Sequence, residues 1–455
     1  MDTRKRLALQ AVFALLAFGA TALAGYGGRI SSASPSAARL SGPLTARTSA
    51  GPLILLSTQF TPVEEAEKMR RVILAGFPGR VQFVPEDLGP FNDRIRAEAR
   101  TGHMSVSVLA GLHGDFAAFA KDGLLEDVSP LLHTLHNRGF PSAYVTLSRF
   151  GSTDRSYYIP WVQATYIMAV NKKALPYLPK GAKPEALTYD QLMQWGTNIH
   201  KATGRQLIGF PAGPKGLMHR FFQGYLYPSY TGSAGVVGFK SPAAVRMWTK
   251  FKALWSVVNP QSTSYEFMQE PLLSGEVWIA WDHTARLIDA ARQRPRDFLL
   301  VPAPAGPKGR GYMPVIAGLA IPKGAPNHRD AERLIDYLTQ PKQQVAILQQ
   351  LAFFPATNAT IPSNLPAAVR LEAAAVKAQA SARDARPSLL PVGLGAKSGE
   401  FNKVYLDTMS RIVLNNEPVQ QVLNDEAKTL QAILNETKAP CWAPDPSSRG
   451  PCHVR

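Results

Sequence analysis

The side chains of this sequence that could do chemistry sit at the ends of apolar runs, and few of them are charged. Asp282 and His283 follow the run 277–281 and stand just before a helix-like stretch. A strand end that meets a helix start leaves free backbone N–H groups, which favour polar or anionic ligand groups. Trp281 closes that run, and Trp161, Gln163 and Tyr166 lie in another, residues 157–172. Tyr225 belongs to an aromatic cluster at 221–230, and Tyr312 to a glycine-flanked loop at 309–313. Phe60 and Asp115 occupy loops that follow strand-like segments, where open α/β sheets bind their ligands. These ten residues are the candidate ligand-binding set. Six of them have a structural alternative: a core staple for Phe60, a helix cap for Asp115 and His283, a strand residue facing a helix for Trp281, a hinge-packing ring for Trp161 and a surface ring for Tyr312.

Catalysis is not indicated. A nucleophile needs a positioned base, and the chain has no G-x-S-x-G, no H-E-x-x-H and no cysteine outside its tail. Asp282 and His283 are adjacent, so in extended backbone they point opposite ways and make a poor acid–base pair. His133 and His136 have helical spacing for a metal, but a solvated helix end is the better reading. No catalytic residue, metal ligand or cofactor is therefore assigned. An envelope hydrolase or lyase is kept as the alternative to a binding protein.

The elements that must hold these residues follow from length and pattern. With 455 residues, 45% hydrophobic and 18% charged, the chain is a globular protein too long for one core. Its net charge of +17 suits anionic surfaces or ligands. There is no zinc spacing or dense basic block to suggest nucleic acid, and the basic stretch 286–310 is broken by Asp289, Asp297 and prolines. Residues 1–24, with Arg4-Lys5-Arg6 before an apolar run and Ala22-Leu23-Ala24, read as a secretory signal. Tyr26 stands where a lipid-anchored relative would need cysteine, so cleavage after Ala24 is favoured over anchoring. Residues 25–51 are a Ser/Ala/Gly/Pro-rich tether. An exported chain with one close cysteine pair predicts a Cys441–Cys452 disulfide in the tail, residues 439–455.

Strand-like segments at 53–56, 81–84 and 106–109 alternate with helical patterns, which predicts an α/β fold with a largely parallel sheet. Thr61 can cap a helix that begins at Pro62. Thr188 and Gln191 form a capping box. Tyr225 and Tyr227 are two apart and cannot share a helix face, so at least one is expected to point away from the core. The run 157–172, with Pro160 near its start, is where the chain is expected to pass from one lobe to another, with Trp161 in the crevice between them.

With these segments in order, the chain closely resembles the family 1 extracellular solute-binding proteins, the maltose-binding-protein class. The likeness lies in Phe77-Pro78-Gly79 and the strand after it, in 120–127, in Ile159-Pro160-Trp161 through Asn171-Lys172, in 273–279, 318–323, 338–344 and Pro355-Ala356-Thr357-Asn358. No one motif is specific; seven in the family's order are, and they span about 53–435. The resemblance implies two α/β lobes joined by hinge crossovers, residues 52–162 plus 300–353 and residues 163–299 plus 354–438. Lobe closure would capture a solute, in this family most often a carbohydrate or related polyol, with rings stacking on its faces. A permease of an ABC importer would be the partner, with a ligand-sensing receptor as the other option. An exported monomer, in the periplasm or at the outer face of the cytoplasmic membrane, is expected. Val162 and Val170 stand where many relatives have an acid and a tyrosine, and 104–107 lacks a common acid, which weighs against a carboxylate-rich sugar site.

Overall fold

The computed structural model describes residues 51–455. The signal, Tyr26 and all of the tether but its last residue lie outside the described residues. Among the described residues no helix is long and apolar enough to cross a membrane.

Two main sheets organise the chain. β1 (Leu53–Ser57), β2 (Val81–Pro85), β3 (Val108–Leu112) and β4 (Ile159–Ala164) enter the first. β5 (Tyr166–Asn171), β6 (Ile208–Gly209), β7 (Ile279–His283) and β8 (Phe298–Val301) make the second. β9 (Arg310–Tyr312) pairs with β12 (Ala385–Pro387), whereas β10 (Val315–Ala320) and β11 (Phe354–Pro355) return to the first sheet. The first sheet has the order β11-β4-β10-β3-β1-β2 and the second β6-β7-β5-β8.

The expectation of a largely parallel sheet is corrected to a mixed one. β1 is parallel to β2 and β3, but β10 runs antiparallel to β3 and β4, as does β11 to β4. In the second sheet β5 is antiparallel to both β7 and β8. The cause is the exchange between sheets: a strand that returns from the other side enters from the opposite end.

The chain changes sheet at Thr165, between Val301 and Val315, and after Pro355. Buried hydrogen bonds clip these passages together. The Thr165 hydroxyl lies 3.0 Å from the Tyr225 hydroxyl and donates to the Met313 carbonyl at 2.9 Å. Gln379, in the helix Ala367–Ala380, donates to Thr165 Oγ1 at 3.2 Å and to the Tyr166 carbonyl at 3.0 Å, and accepts from Ala303 N–H at 2.9 Å. Gly318 is required at the centre of β10, because a Cβ there would come within 2.1 Å of the Tyr158 ring.

Local signals hold in part. Thr188 accepts from Gln191 N–H and Gln191 reaches back, as the capping box requires. Thr61 does not cap: the helix Val63–Lys68 has Pro62 as its N-cap and no side-chain cap bond, one residue later than expected. The expectation that Tyr225 or Tyr227 faces away from the core is also overturned. Both are fully buried, because this helical segment is covered on opposite sides. Tyr225 packs edge-on against Tyr166 and Trp281, and Tyr227 stacks on Phe239 and meets Trp248. The Cys441–Cys452 disulfide is present, and Trp442 beside it packs against Phe401.

Candidate binding cleft

A cleft of about 790 Å³ opens where residues carried by the two sheets face one another. The first-sheet side presents Thr58, Gln59 and Phe60 after β1, Glu65 from the helix Val63–Lys68, and Glu86 and Asp87 after β2. The second-sheet side presents His219 and Arg220, then Glu266 and Phe267, then His283 and Arg286. Tyr166, Val315 and Phe353 line it from the passages between the sheets, and Asn402 and Lys403 close one flank.

Phe60 is set by backbone and packing together. Its φ of +59° is left-handed, a conformation that costs a bulky L residue about 1–2 kcal/mol. Edge contacts to Trp161 at 5.4 Å and Phe353 at 4.7 Å hold it there. Such strain tends to persist at ligand-binding positions. Next to it, Thr58 donates to Asp115 Oδ2 at 2.8 Å, and Leu112 N–H donates to the same oxygen at 2.8 Å. Asp115 therefore ties the β1 loop to the start of the helix His113–Lys121. Burial pushes its carboxyl above the usual range, against the pull of those two bonds.

On the facing side, the Tyr166 ring stacks on Trp281 with centroids 4.8 Å apart and 8° between planes. His283 meets Tyr166 edge-on at 5.2 Å, and its Nδ1 accepts from Ala285 N–H at 3.2 Å. Burial, with Arg286 nearby, holds the His283 ring down to about 3, so it is neutral. With Nδ1 accepting, the proton sits on Nε2, which makes that atom a donor. His219 is likewise held well below its ordinary range by burial and by Arg220 and Arg286. Asp282 lies beneath. Its Oδ1 accepts from His283 N–H at 2.7 Å and its Oδ2 from Met268 N–H at 3.0 Å, while burial raises it to about 6.

Of the ten candidates, the structure brings Phe60, Tyr166 and His283 to the cleft surface. His283 both lines the cleft and caps its helix. Asp115, Asp282, Trp281 and Tyr225 lie behind it as supports. Trp161 is wholly buried under Phe60, not open to the crevice, because the left-handed turn at Phe60 lays that ring across it. Gln163 donates to the Pro355 carbonyl at 2.9 Å and accepts from the Tyr144 hydroxyl, which commits it to the β4–β11 junction. Tyr312 is half-buried on β9, away from the cleft lining.

The sequence reading missed Glu65, Glu86, Asp87, His219, Arg220 and Arg286. Arg286 had a signal, since it is the third residue of the helix Thr284–Gln293 that follows Asp282-His283. Asp87 had one as well: it is the N-cap of the helix Leu88–Thr101, yet makes no capping bond. Carboxylates do line the cleft, but they are Glu65, Glu86 and Asp87 on the first-sheet side and Glu266 on the second, not residues at the family positions occupied by Val162 and Val170.

Comparison with known proteins settles the family. The model of the bacterial extracellular solute-binding proteins matches residues 75–371. The chain belongs to this family. Its members bind solutes outside the cytoplasm and are not enzymes as a class. Maltose-bound MalE3 of T. maritima superposes with a TM-score of 0.69 at 19% identity, over 84% of this chain and 100% of that one. UgpB from Mycobacterium tuberculosis, in complex with glycerophosphocholine, gives 0.66 at 19% identity, over 85% and 99%. The sugar-binding protein MalE from Xanthomonas citri gives 0.66 at 15% identity, over 85% and 98%. At these identities the likeness shows the two-lobed periplasmic-binding-protein fold. No curated protein sequence matches the chain.

Proposed function

We propose that this solute-binding protein captures a carbohydrate or related polyol by closure of its two lobes and delivers it, chemically unchanged, to the permease of an ABC importer. It would act as a monomer in the periplasm or at the outer face of the cytoplasmic membrane. The proposed lobes meet where the chain passes between the sheets, at Thr165, between Val301 and Val315, and after Pro355, within a few residues of the expected boundaries 162/163, 299/300 and 353/354.

The observation that carries this reading is the polarity of the cleft. One wall offers the acceptors Glu86 and Asp87, and the other offers the donors Arg220, Arg286 and the neutral His283 beside a single carboxylate, Glu266. The faces of Phe60, Phe267 and Phe353 lie between them. A hydroxyl-rich solute has both donors to give and acceptors to fill, with apolar C–H faces for the rings. Neutral hydrogen-bonding histidines and an uncapped, exposed Asp87 suit that task better than proton transfer.

The test is a thermal-shift screen against mono-, di- and oligosaccharides, polyols and their phosphates. A ligand at a thousandfold excess over its Kd should stabilise the fold by about 4 kcal/mol. Asp87→Asn should weaken binding of the hit about tenfold with the unliganded melting point unchanged, as expected for loss of a charge-assisted hydrogen bond. Chemical turnover of the bound compound would sink the transport reading in favour of an envelope enzyme.

A further inference from the structure

We infer that the solute is a phosphorylated polyol whose phosphate sits between Arg220 and Arg286; the inference rests on the reading of this cleft as the solute site. Both arginines line it. Among the described residues neither has a carboxylate within ion-pair distance, whereas Arg94, Arg292 and Arg411 all do. The Arg286 guanidinium lies over the Phe267 ring at 4.3 Å, and its Nη1 is shielded from water with no acceptor. A buried charged donor left without a partner is costly, so the site is built for an acceptor that arrives from outside.

The two arginines share one wall: both line the cleft on the second-sheet side together with His219 and His283, and both charges act on Tyr166 and His219. The buried acids nearby do not satisfy them. Both Asp282 oxygens are taken by backbone N–H groups, Asp115 Oδ2 is taken by Thr58 and Leu112, and Glu65, which feels Arg286 from outside ion-pair distance, is raised to about 7 by burial. The N-terminus of the ten-residue helix Thr284–Gln293 adds the positive end of its dipole beside Arg286.

The amount of charge favours phosphate over carboxylate. A phosphate monoester carries about −1.5 to −2 at neutral pH and offers three acceptor oxygens, which matches two guanidinium forks. A carboxylate would leave one guanidinium uncompensated. Across the cleft, Glu86 and Asp87 would repel a second anion but accept hydroxyls. The solute therefore has one anionic end and one hydroxylated end.

Calorimetric titration of the purified exported chain with glucose 6-phosphate, glucose, glucuronate, glycerol 3-phosphate, glycerol and inorganic phosphate tests this. The expected result is that a phosphorylated polyol binds at least about tenfold more tightly than its parent and than glucuronate. Arg286→Gln and Arg220→Gln, each checked for an unchanged melting profile, should each remove that advantage, so that the phosphorylated polyol binds no more tightly than its parent. Arg286→Lys should restore part of it. If glucose or glycerol binds as tightly as its phosphate and both Gln variants bind normally, the phosphate assignment is overturned while the cleft remains a polyol site. If glucuronate outcompetes glucose 6-phosphate, phosphate is replaced by carboxylate and the assignment again fails. If neither the sugars and polyols nor their phosphates bind, the cleft reading falls and this inference falls with it.

Discussion

At the scale of single residues, the cleft is tuned by burial more than by ion pairing. Glu65 is raised from 4.5 to about 7 chiefly by desolvation, which outweighs the pull of Arg286. A carboxyl whose folded pKa lies above its unfolded value holds its proton more tightly in the folded state. Its contribution therefore weakens as pH rises from about 4.5 to about 7. Glu65→Gln should lack this loss. Chemical denaturation at pH 5 and pH 7.5 should show the variant gaining on the native protein at the higher pH; a constant difference would mean that Glu65 is ionised throughout. The buried histidines act in the opposite direction. His113, at about 4, and His283, at about 3, are held below 6.5 by burial and cost stability as pH falls. Tyr225 is a second testable atom. Its hydroxyl accepts from Tyr166 N–H at 2.9 Å, donates to the Tyr166 carbonyl at 2.8 Å and meets Thr165 at 3.0 Å. Tyr225→Phe leaves a buried N–H without a partner and should cost about 1–3 kcal/mol in denaturant titration.

At the scale of elements, much of the architecture was legible because its signals are local. The capping box at Thr188–Gln191, the apolar runs that became β1, β2 and β10, and the cysteine pair in the tail all act over a few residues. What was not legible depends on partners far along the chain. Nothing near Tyr225 and Tyr227 announces that Tyr166 will cover one side of their helix and Tyr405 the other. Nothing near Trp161 tells that Phe60, a hundred positions earlier, turns left-handed across it. Arg220 lies in the first turn of the helical stretch 218–231, whose N-cap Leu217 gives no side-chain cap to mark it, and becomes a site residue only when the second sheet faces the first. The tail shows the converse, a local link with distant consequences. Beyond the disulfide, Asp445 accepts from Ser233 Oγ at 3.0 Å and Ala234 N–H at 3.1 Å, and the Arg455 carbonyl accepts from Lys240 N–H. Closing a loop of this length should contribute about 3 kcal/mol. The Cys441→Ser/Cys452→Ser pair should lose about that much in denaturant, with faster hydrogen exchange at Cys452, Val454 and Lys240. Exchange unchanged at those amides would show that the tail holds by its hydrogen bonds alone.

At the scale of the whole molecule, two kinds of contact join the sheets, and their magnitudes differ. The polar clip runs through Gln379, which ties Ala303 on one passage to Thr165 and Tyr166 on another. The apolar join is a ladder of rings: Trp161 to Phe60, Phe60 to Phe353, Phe353 to His283, His283 to Tyr166 and Tyr166 to Trp281. Gln379→Leu keeps roughly the same volume but strands the Ala303 N–H, which should cost about 1–3 kcal/mol. The ladder is larger. Each aromatic contact adds about 0.5–1.5 kcal/mol beyond the burial of the rings themselves, and one apolar core runs without a break from Leu55 through Val162 to Trp281. The ladder should therefore keep the sheets unfolding as one unit after the clip is cut. Two probes separate the possibilities. Circular dichroism reports the whole chain, whereas tryptophan fluorescence is weighted to the second sheet's side, which holds Trp195, Trp248, Trp255, Trp278 and Trp281. In Gln379→Leu both transitions should move to lower denaturant together. If they separate, the clip and not the apolar core couples the lobes, and closure of the cleft would then turn on Gln379.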